Sequence, residues 1–151
     1  MEIIIGGRTI PMLMSTYEVM LIQEEIGCTT GQLRDEVFGI EHDIETDVYR
    51  STLRDDKEKL KKFAKLIRIL GNAGLEEAGQ APDLTDKWIL RNIKPGMVFV
   101  YMIQMSEIVD DAMKMEAGKQ QQEGPVDEVL AEENRKKEQG SLLTGESAPA
   151  D

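Results

Sequence analysis

The sequence predicts an α+β fold that is mostly helical, with a short N-terminal β-hairpin followed by four to six helices and a disordered acidic C-terminal tail. Three observations lead to this prediction. Two short apolar runs flank Gly6-Gly7, which is typical of a tight hairpin. Apolar side chains then recur at helical spacing through several segments. After Met115 the apolar content falls sharply, so we expect a small, mostly helical domain over residues 1–117 and a disordered tail over residues 118–151.

The predicted hairpin joins residues 3–5 to residues 9–13. Its two glycines can adopt the positive φ angles that a two-residue primed turn requires. Pro11 lies in the second strand and cannot donate a hydrogen bond to a neighbouring strand. We therefore expect this strand to lie at an edge or to end early.

The first predicted helix runs from about Thr16 to Ile26. Ser15 and Glu18 form the S-x-x-E pattern of a capping box at its start. Gly27 stands where a glycine commonly ends a helix. One face of this segment is apolar, which predicts a helix packed against a core.

A second capping box, at Thr29 and Gln32, predicts a short helix that ends at Gly39. The next segment, residues 40–54, has apolar residues spaced by four, which indicates a helical turn. Its acidic composition is also typical of a loop, and both interpretations remain open.

The most regular helical pattern begins after Asp55 and Asp56 and covers residues 57–70. Its apolar residues follow the i, i+3, i+4, i+7 spacing of one buried face. Lysines cover much of the remaining surface, which indicates a solvated face or a contact with an acidic protein. Nucleic acid is disfavoured there because no aromatic residues are interleaved with these bases. The residues expected to end the helix, or to frame its last turn, are Gly71, Asn72 and Gly74.

The last two predicted helices follow a linker that contains Pro82. Asp83 or Thr85 can cap a helix that continues to about Ile93. Pro95 is expected to start or kink the Met-rich helix that follows.

Composition excludes several classes of function. The formal net charge of −11 opposes binding to nucleic acid or to an anionic membrane surface. The chain has no basic signal sequence and no apolar stretch of about 18 residues, the length that a membrane span needs. One cysteine, Cys28, permits no internal disulfide and fits a reducing compartment. A soluble, cytosolic protein is therefore expected.

No pattern in the sequence indicates an enzyme. The only histidine, His42, stands among acidic residues and is best interpreted as part of a solvated loop rather than as a metal ligand. Cys28 would need His42 close in space to act as a catalytic thiol, and a small buried residue is the more usual role. The chain has too few Cys and His residues for structural zinc and no motif for nucleotide phosphates, so we expect no metal and no cofactor.

The Met-rich helix is the strongest indication of a binding function. Residues 97–103 are all apolar, whereas a surface helix is normally apolar on one side only. One interpretation is that the methionines fill an adaptable core. The other is that part of the helix binds a helix of another protein. The residues predicted for this binding face are Met97, Val100, Tyr101 and Met105.

With these elements in order, the chain resembles the tail assembly chaperones of long-tailed bacteriophages and prophages. The resemblance covers about residues 1–115. It rests on the opening "MEIIIGGRTIPM", the segment "STYEVMLIQEEIGCTTGQL", the helix "DKEKLKKFAKLIRILGNAGLEEAG" and the final "PDLTDKWILRNIKPGMVFVYMIQMSEIVDDAMK", followed by a charged tail.

The resemblance implies a non-enzymatic assembly factor in the host cell cytoplasm. Such proteins bind the tape measure protein, a long helical chain with exposed apolar stripes, and aid recruitment of tail tube subunits. It also implies a longer form made by ribosomal frameshifting, for which Arg135-Lys136-Lys137 is a candidate slip position. The alternative is a structural component of the virion, in the tail or the head–tail connector. Whether the protein also forms a homo-oligomer is left open.

Overall fold

The computed structural model describes residues 1–114 of the 151-residue chain, and its compact unit comprises Met1–Ala112. The α+β fold class is confirmed, with an N-terminal hairpin and mostly helical structure after it. The predicted tail and its boundary at residue 117 lie outside the described residues. The strands are β1 (Glu2–Ile5), β2 (Arg8–Pro11), β3 (Ile40–Asp43) and β4 (Val48–Ser51), and the helices are α1 (Thr16–Leu21), α2 (Leu33–Glu36), α3 (Lys57–Glu77), α4 (Asp86–Arg91) and α5 (Val98–Met113).

The first hairpin forms as predicted and is anchored in the core. Strands β1 and β2 pair antiparallel, with Ile3 opposite Ile10, and the turn glycines have φ of +58° and +78°. Alternate residues of β1 point inward, so that Ile3 and Ile5 are buried while Ile4 is exposed. Strand β2 ends at Pro11, as the missing amide donor predicts.

The first predicted helix is present but changes type along its length. The capping box is formed, since Glu18 accepts from the Ser15 amide at 2.8 Å and the Ser15 hydroxyl accepts from the Tyr17 amide. The α-helix continues to Leu21 and is followed by a π-helical segment, Ile22–Ile26. Gly27 then ends the helix in the left-handed conformation, with φ of +85°.

The segment at residues 40–54 is largely a second β-hairpin. The predicted helical turn is therefore wrong, and the alternative prediction of a loop applies only to the residues between and after the strands. The capping box at Thr29 starts a 3-10 turn that leads into α2, and Gly39 then redirects the chain with φ of +57°. Strands β3 and β4 pair antiparallel, although most of their side chains are exposed. Because neither strand buries an alternating apolar face, the sequence carries no period-2 signal for this hairpin.

Helix α3 is longer than predicted. The Asp56 carboxylate caps it by accepting from the Lys59 amide at 3.1 Å, and this backbone hydrogen bond lowers the pKa of Asp56. The helix continues through Gly71 and Gly74 to Glu77, so neither glycine ends it, although Gly74 begins its last turn. A Cβ atom at Gly74 would lie 1.9 Å from the carbonyl oxygen of Pro11. At Gly71 a Cβ atom would lie 2.5 Å from the side chain of Leu84, so Gly74 is explained by the close approach of β2 to α3 and Gly71 mainly by that of the linker.

The last two helices begin where the sequence predicts. Thr85 caps α4 by accepting from the Trp88 amide, and Pro95 opens a 3-10 turn that leads into α5. The linker before α4 is held to α3 because the side chain of Asn72 pairs with both the amide and the carbonyl of Leu84. One apolar core joins the first hairpin, α3, α4 and the inner side of α5.

Candidate protein-binding surface

The two residues considered for catalysis lie in different settings. His42 is exposed on β3, where its ring stacks on Tyr49 at 4.1 Å between centroids and its Nε2 lies 2.8 Å from the Asp47 carboxylate. Cys28 is buried; burial raises the pKa of its thiol, against the effect of nearby Lys62, which lowers it. No hydrogen bond joins the two residues within the described structure. Nor does any group of His, Cys, Asp and Glu in residues 1–114 have an arrangement suited to a metal ion.

Helix α5 has one buried side and two exposed flanks. Its buried residues follow a spacing of four, three and four, which places them on one side of a 3.6-residue helix. They are Val98, Met102, Met105 and Val109, joined by Ile108. Helix α5 therefore contributes to the core from one side only, and its apolar residues at the intervening positions remain accessible.

The predicted binding face is divided by this arrangement. Met97 and Val100 are 41% and 40% exposed. Tyr101 is half-buried, and its hydroxyl donates to the carbonyl oxygen of Ile4 in β1. Met105 is fully buried and cannot belong to an accessible face, so its inclusion was wrong. Each step of four residues rotates a helical position by about 40°, which carries the series 97, 101, 105 from the flank into the core.

The other flank of α5 borders a groove that sequence reasoning missed. Phe99 and Ile103, one turn apart on this flank, are 48% and 40% exposed. Three adjoining cavities of about 570, 280 and 180 Å³ form the groove, and neighbouring cavities share lining residues. The apolar lining consists of Ile40, Tyr49, Leu60, Phe63, Leu90, Ile93, Pro95, Val98, Phe99, Met102 and Ile103.

The groove has a basic rim although the chain as a whole is acidic. Five bases and one acid, Asp55, are among its lining residues, and all six are exposed. The guanidinium of Arg54 lies 3.7 Å from the carboxylate of Asp55, and the ammonium of Lys61 lies 3.8 Å from the carboxylate of Glu58. The bases of this rim are Arg34, Arg50, Arg54, Lys57 and Lys61.

Three of these bases have no close carboxylate partner. Within the described residues, Arg34, Arg50 and Lys57 form no ion pair within 4 Å, and Arg34 lies over the ring of Tyr49 at 5.7 Å instead. Glu41 stands opposite Arg50 across the second hairpin, but their charged groups do not approach within the 4 Å of an ion pair. The basic rim is therefore only partly neutralised by the protein's own acids.

The residues of this groove come from separate parts of the chain. Tyr49 and Arg50 belong to β4. Lys57 and Lys61 lie in the first turns of α3, and Phe99 lies in α5. The sequence indicates a basic face on α3 and an apolar run in α5. These two features form one groove only because the second hairpin, which was not predicted, lies beside them and because α5 packs beside α3.

Two further findings bear on function. Among the described residues, no helix combines the length and apolar character that crossing a membrane requires. No protein-family model, curated protein or solved structure matches the chain.

Proposed function

We propose that this protein is a non-enzymatic tail assembly chaperone of a long-tailed bacteriophage or prophage, acting in the host cytoplasm. It binds an apolar helical segment of the tape measure protein and aids recruitment of tail tube subunits. The single observation that carries this proposal is the exposure of apolar side chains on both flanks of the first half of α5. The resemblance of residues 1–115 to this class of chaperones gives the proposal its biological setting.

Exposed apolar side chains on one helix support a protein-binding function on physical grounds. Contiguous apolar surface left in water is unfavourable and commonly marks a contact with another molecule. Methionine at such a surface adapts to different partner side chains because it is unbranched and polarizable. A helical partner with an apolar stripe would cover Met97 and Val100 and leave the buried side of α5 unchanged.

Charge substitution on the exposed flank tests this function. We expect Met97→Asp with Val100→Asp to abolish co-purification with the tape measure protein from the same phage, because two carboxylates would lose hydration in the contact. The matched control is Tyr17→Asp with Met20→Asp, which adds the same two charges at exposed residues of α1 rather than beside α5. Circular dichroism melting should show both variants folded. Retained co-purification of the double variant would overturn the assigned contact.

The alternative, a structural component of the virion, makes a different prediction about location. A chaperone leaves the assembling tail, whereas a tail or connector subunit stays in it. Mass spectrometry of purified particles should therefore find tape measure and tube proteins but not this chain. Its presence at stoichiometric levels would replace the chaperone assignment with the structural one.

A longer form made by frameshifting belongs to the same proposal. The candidate slip position, Arg135-Lys136-Lys137, lies outside the described residues. A −1 slip there fits an A-AAA-AAG heptamer, since the arginine codon can end in A and two lysine codons follow. An antibody against residues 1–114 should detect a second, larger product during phage induction. Absence of both the heptamer after Met115 and the larger product would remove this part of the proposal.

A further inference from the structure

We propose that the groove between α3, the second hairpin and α5 binds an acidic amphipathic helix. Under the proposed function, on which this identification rests, the helix is a segment of the tape measure protein. Its apolar stripe would lie on the groove floor and its carboxylates would face the basic rim. This binding site is distinct from the flank that carries Met97 and Val100, because neither residue lines any of its three cavities.

The size and shape of the groove suit a helix. Along α5 and the 3-10 turn before it, the lining extends from Pro95 to Ser106, which corresponds to roughly 16 Å at about 1.5 Å per residue. About three turns of a bound helix span this distance. Three apolar residues that line the groove are largely exposed, namely Leu90, Phe99 and Ile103. A bound apolar stripe would remove their side chains from water, which is favourable.

The charge of the rim selects an acidic occupant. Five bases against one acid give this surface a positive character within a chain of net charge −11. Carboxylates on the flanks of a bound helix would pair with Arg50 and Lys57, which form no ion pair within the described residues. Complementary rim charges of this kind increase the association rate and exclude basic partners.

Single-stranded nucleic acid is the competing occupant, since Tyr49 and Phe99 are exposed beside arginines. Such binding combines aromatic stacking with a positive groove. The groove favours a protein helix because most of its floor is aliphatic and Asp55 projects into its lining. The negative charge of the whole chain further opposes a phosphate backbone.

Designed peptides test the inference directly on the full chain. One fluorescein-labelled probe of about 18 residues, or roughly five turns, carries a leucine stripe, glutamates beside the stripe and alanine at the outer positions, which limits repulsion between glutamates along the helix. A matched probe replaces every glutamate with glutamine, and a labelled oligothymidylate represents nucleic acid. At low salt we expect fluorescence anisotropy to show binding of the glutamate probe about tenfold tighter than of the glutamine probe, with the difference falling as salt rises.

Charge reversal identifies the surface responsible. Arg54→Glu with Lys57→Glu should weaken binding of the glutamate probe at least about tenfold and allow binding of a lysine version of the same peptide. The control, Lys87→Glu with Arg91→Glu on α4, makes the same change in net charge at two exposed residues outside the groove. At about 0.15 M salt its affinity for the glutamate probe should stay within about twofold of the unmodified chain, because neither residue lines the groove and exposed charges are screened over about 8 Å at this ionic strength.

Three outcomes would overturn the inference: equal binding of the two peptides, equal loss in the two double variants, or tighter binding of the oligothymidylate. Each is distinguishable from failure of the proposed function. The groove variant keeps the Met97 and Val100 contact, so the readout is the amount of tape measure protein that co-purifies. If this amount is not reduced, the chaperone proposal stands and the groove assignment falls. If the glutamate probe binds the groove but no tape measure protein co-purifies, the acidic-helix site stands and the proposed function falls.

Discussion

The two β-hairpins of this protein have the same size and opposite relations to the core. In the first, β1 alternates exposed and buried residues. The apolar core that includes α3 and its neighbouring helices also contains Ile3, Ile5 and Ile10. In the second, β3 and β4 expose most of their side chains. Its cross-strand contact is the stack of His42 on Tyr49, and Tyr49 also lines the groove.

This difference separates a hairpin that stabilises the fold from one that shapes a surface. Burial of apolar side chains contributes most of the stability of a small domain, so the first hairpin should be required for folding. Exposed cross-strand pairs contribute only about 0.2–1 kcal/mol each, so changes in the second should act mainly on binding. Substitutions in the two hairpins can test this division.

The largest effect is expected from Ile5→Ala. Ile5 is fully buried, and removing its side chain should lower the free energy of unfolding by about 2–5 kcal/mol through lost transfer energy and a residual cavity. Ile4→Ala, at the neighbouring exposed residue, should change it by less than about 0.5 kcal/mol. Urea denaturation monitored by circular dichroism gives both values. Equal losses would show that the alternation of β1 does not govern its stability.

A smaller loss is expected where α3 meets the first hairpin. Gly74→Ala should destabilise the protein by about 1–3 kcal/mol, because the added methyl group would overlap the backbone of Pro11. This overlap opposes the gain of about 1 kcal/mol that alanine normally brings to a helix. Gly96→Ala is the matched control, since a Cβ there meets no atom within 4 Å. A Gly74 variant with raised thermal stability would contradict the close approach.

The smallest effect on stability is expected in the second hairpin. Tyr49→Ala should cost about 0.5–1 kcal/mol by removing one cross-strand stack, yet it should weaken binding of the glutamate probe because Tyr49 lines the groove. His42→Ala removes the same stack from a residue that does not line the groove, so it should leave binding nearly unchanged. Loss of cooperative unfolding in either variant would show that this hairpin is part of the core.

The sequence by itself determined the elements whose signals are local. The Gly6-Gly7 turn, the two capping boxes, the start of α3 after Asp56 and the turn that begins at Pro95 are all present where the pattern predicts them, and Thr85 is the one of two predicted residues that caps α4. Each depends on hydrogen bonds or φ angles among residues close together in the chain. Such interactions are specified by neighbouring side chains and need little help from the rest of the fold.

Only the tertiary structure decided features that depend on distant partners. Gly71 and Gly74 resemble helix terminators until Leu84 and β2 are placed against α3, where the missing side chains permit contact. Met105 shares a flank with Met97 in a simple spacing of four, but packing and helix rotation bury it. The second hairpin has no period-2 pattern because its strands bury no apolar face, and the groove exists only where that hairpin meets α3 and α5. Long-range packing sets these features, and local spacing does not encode it.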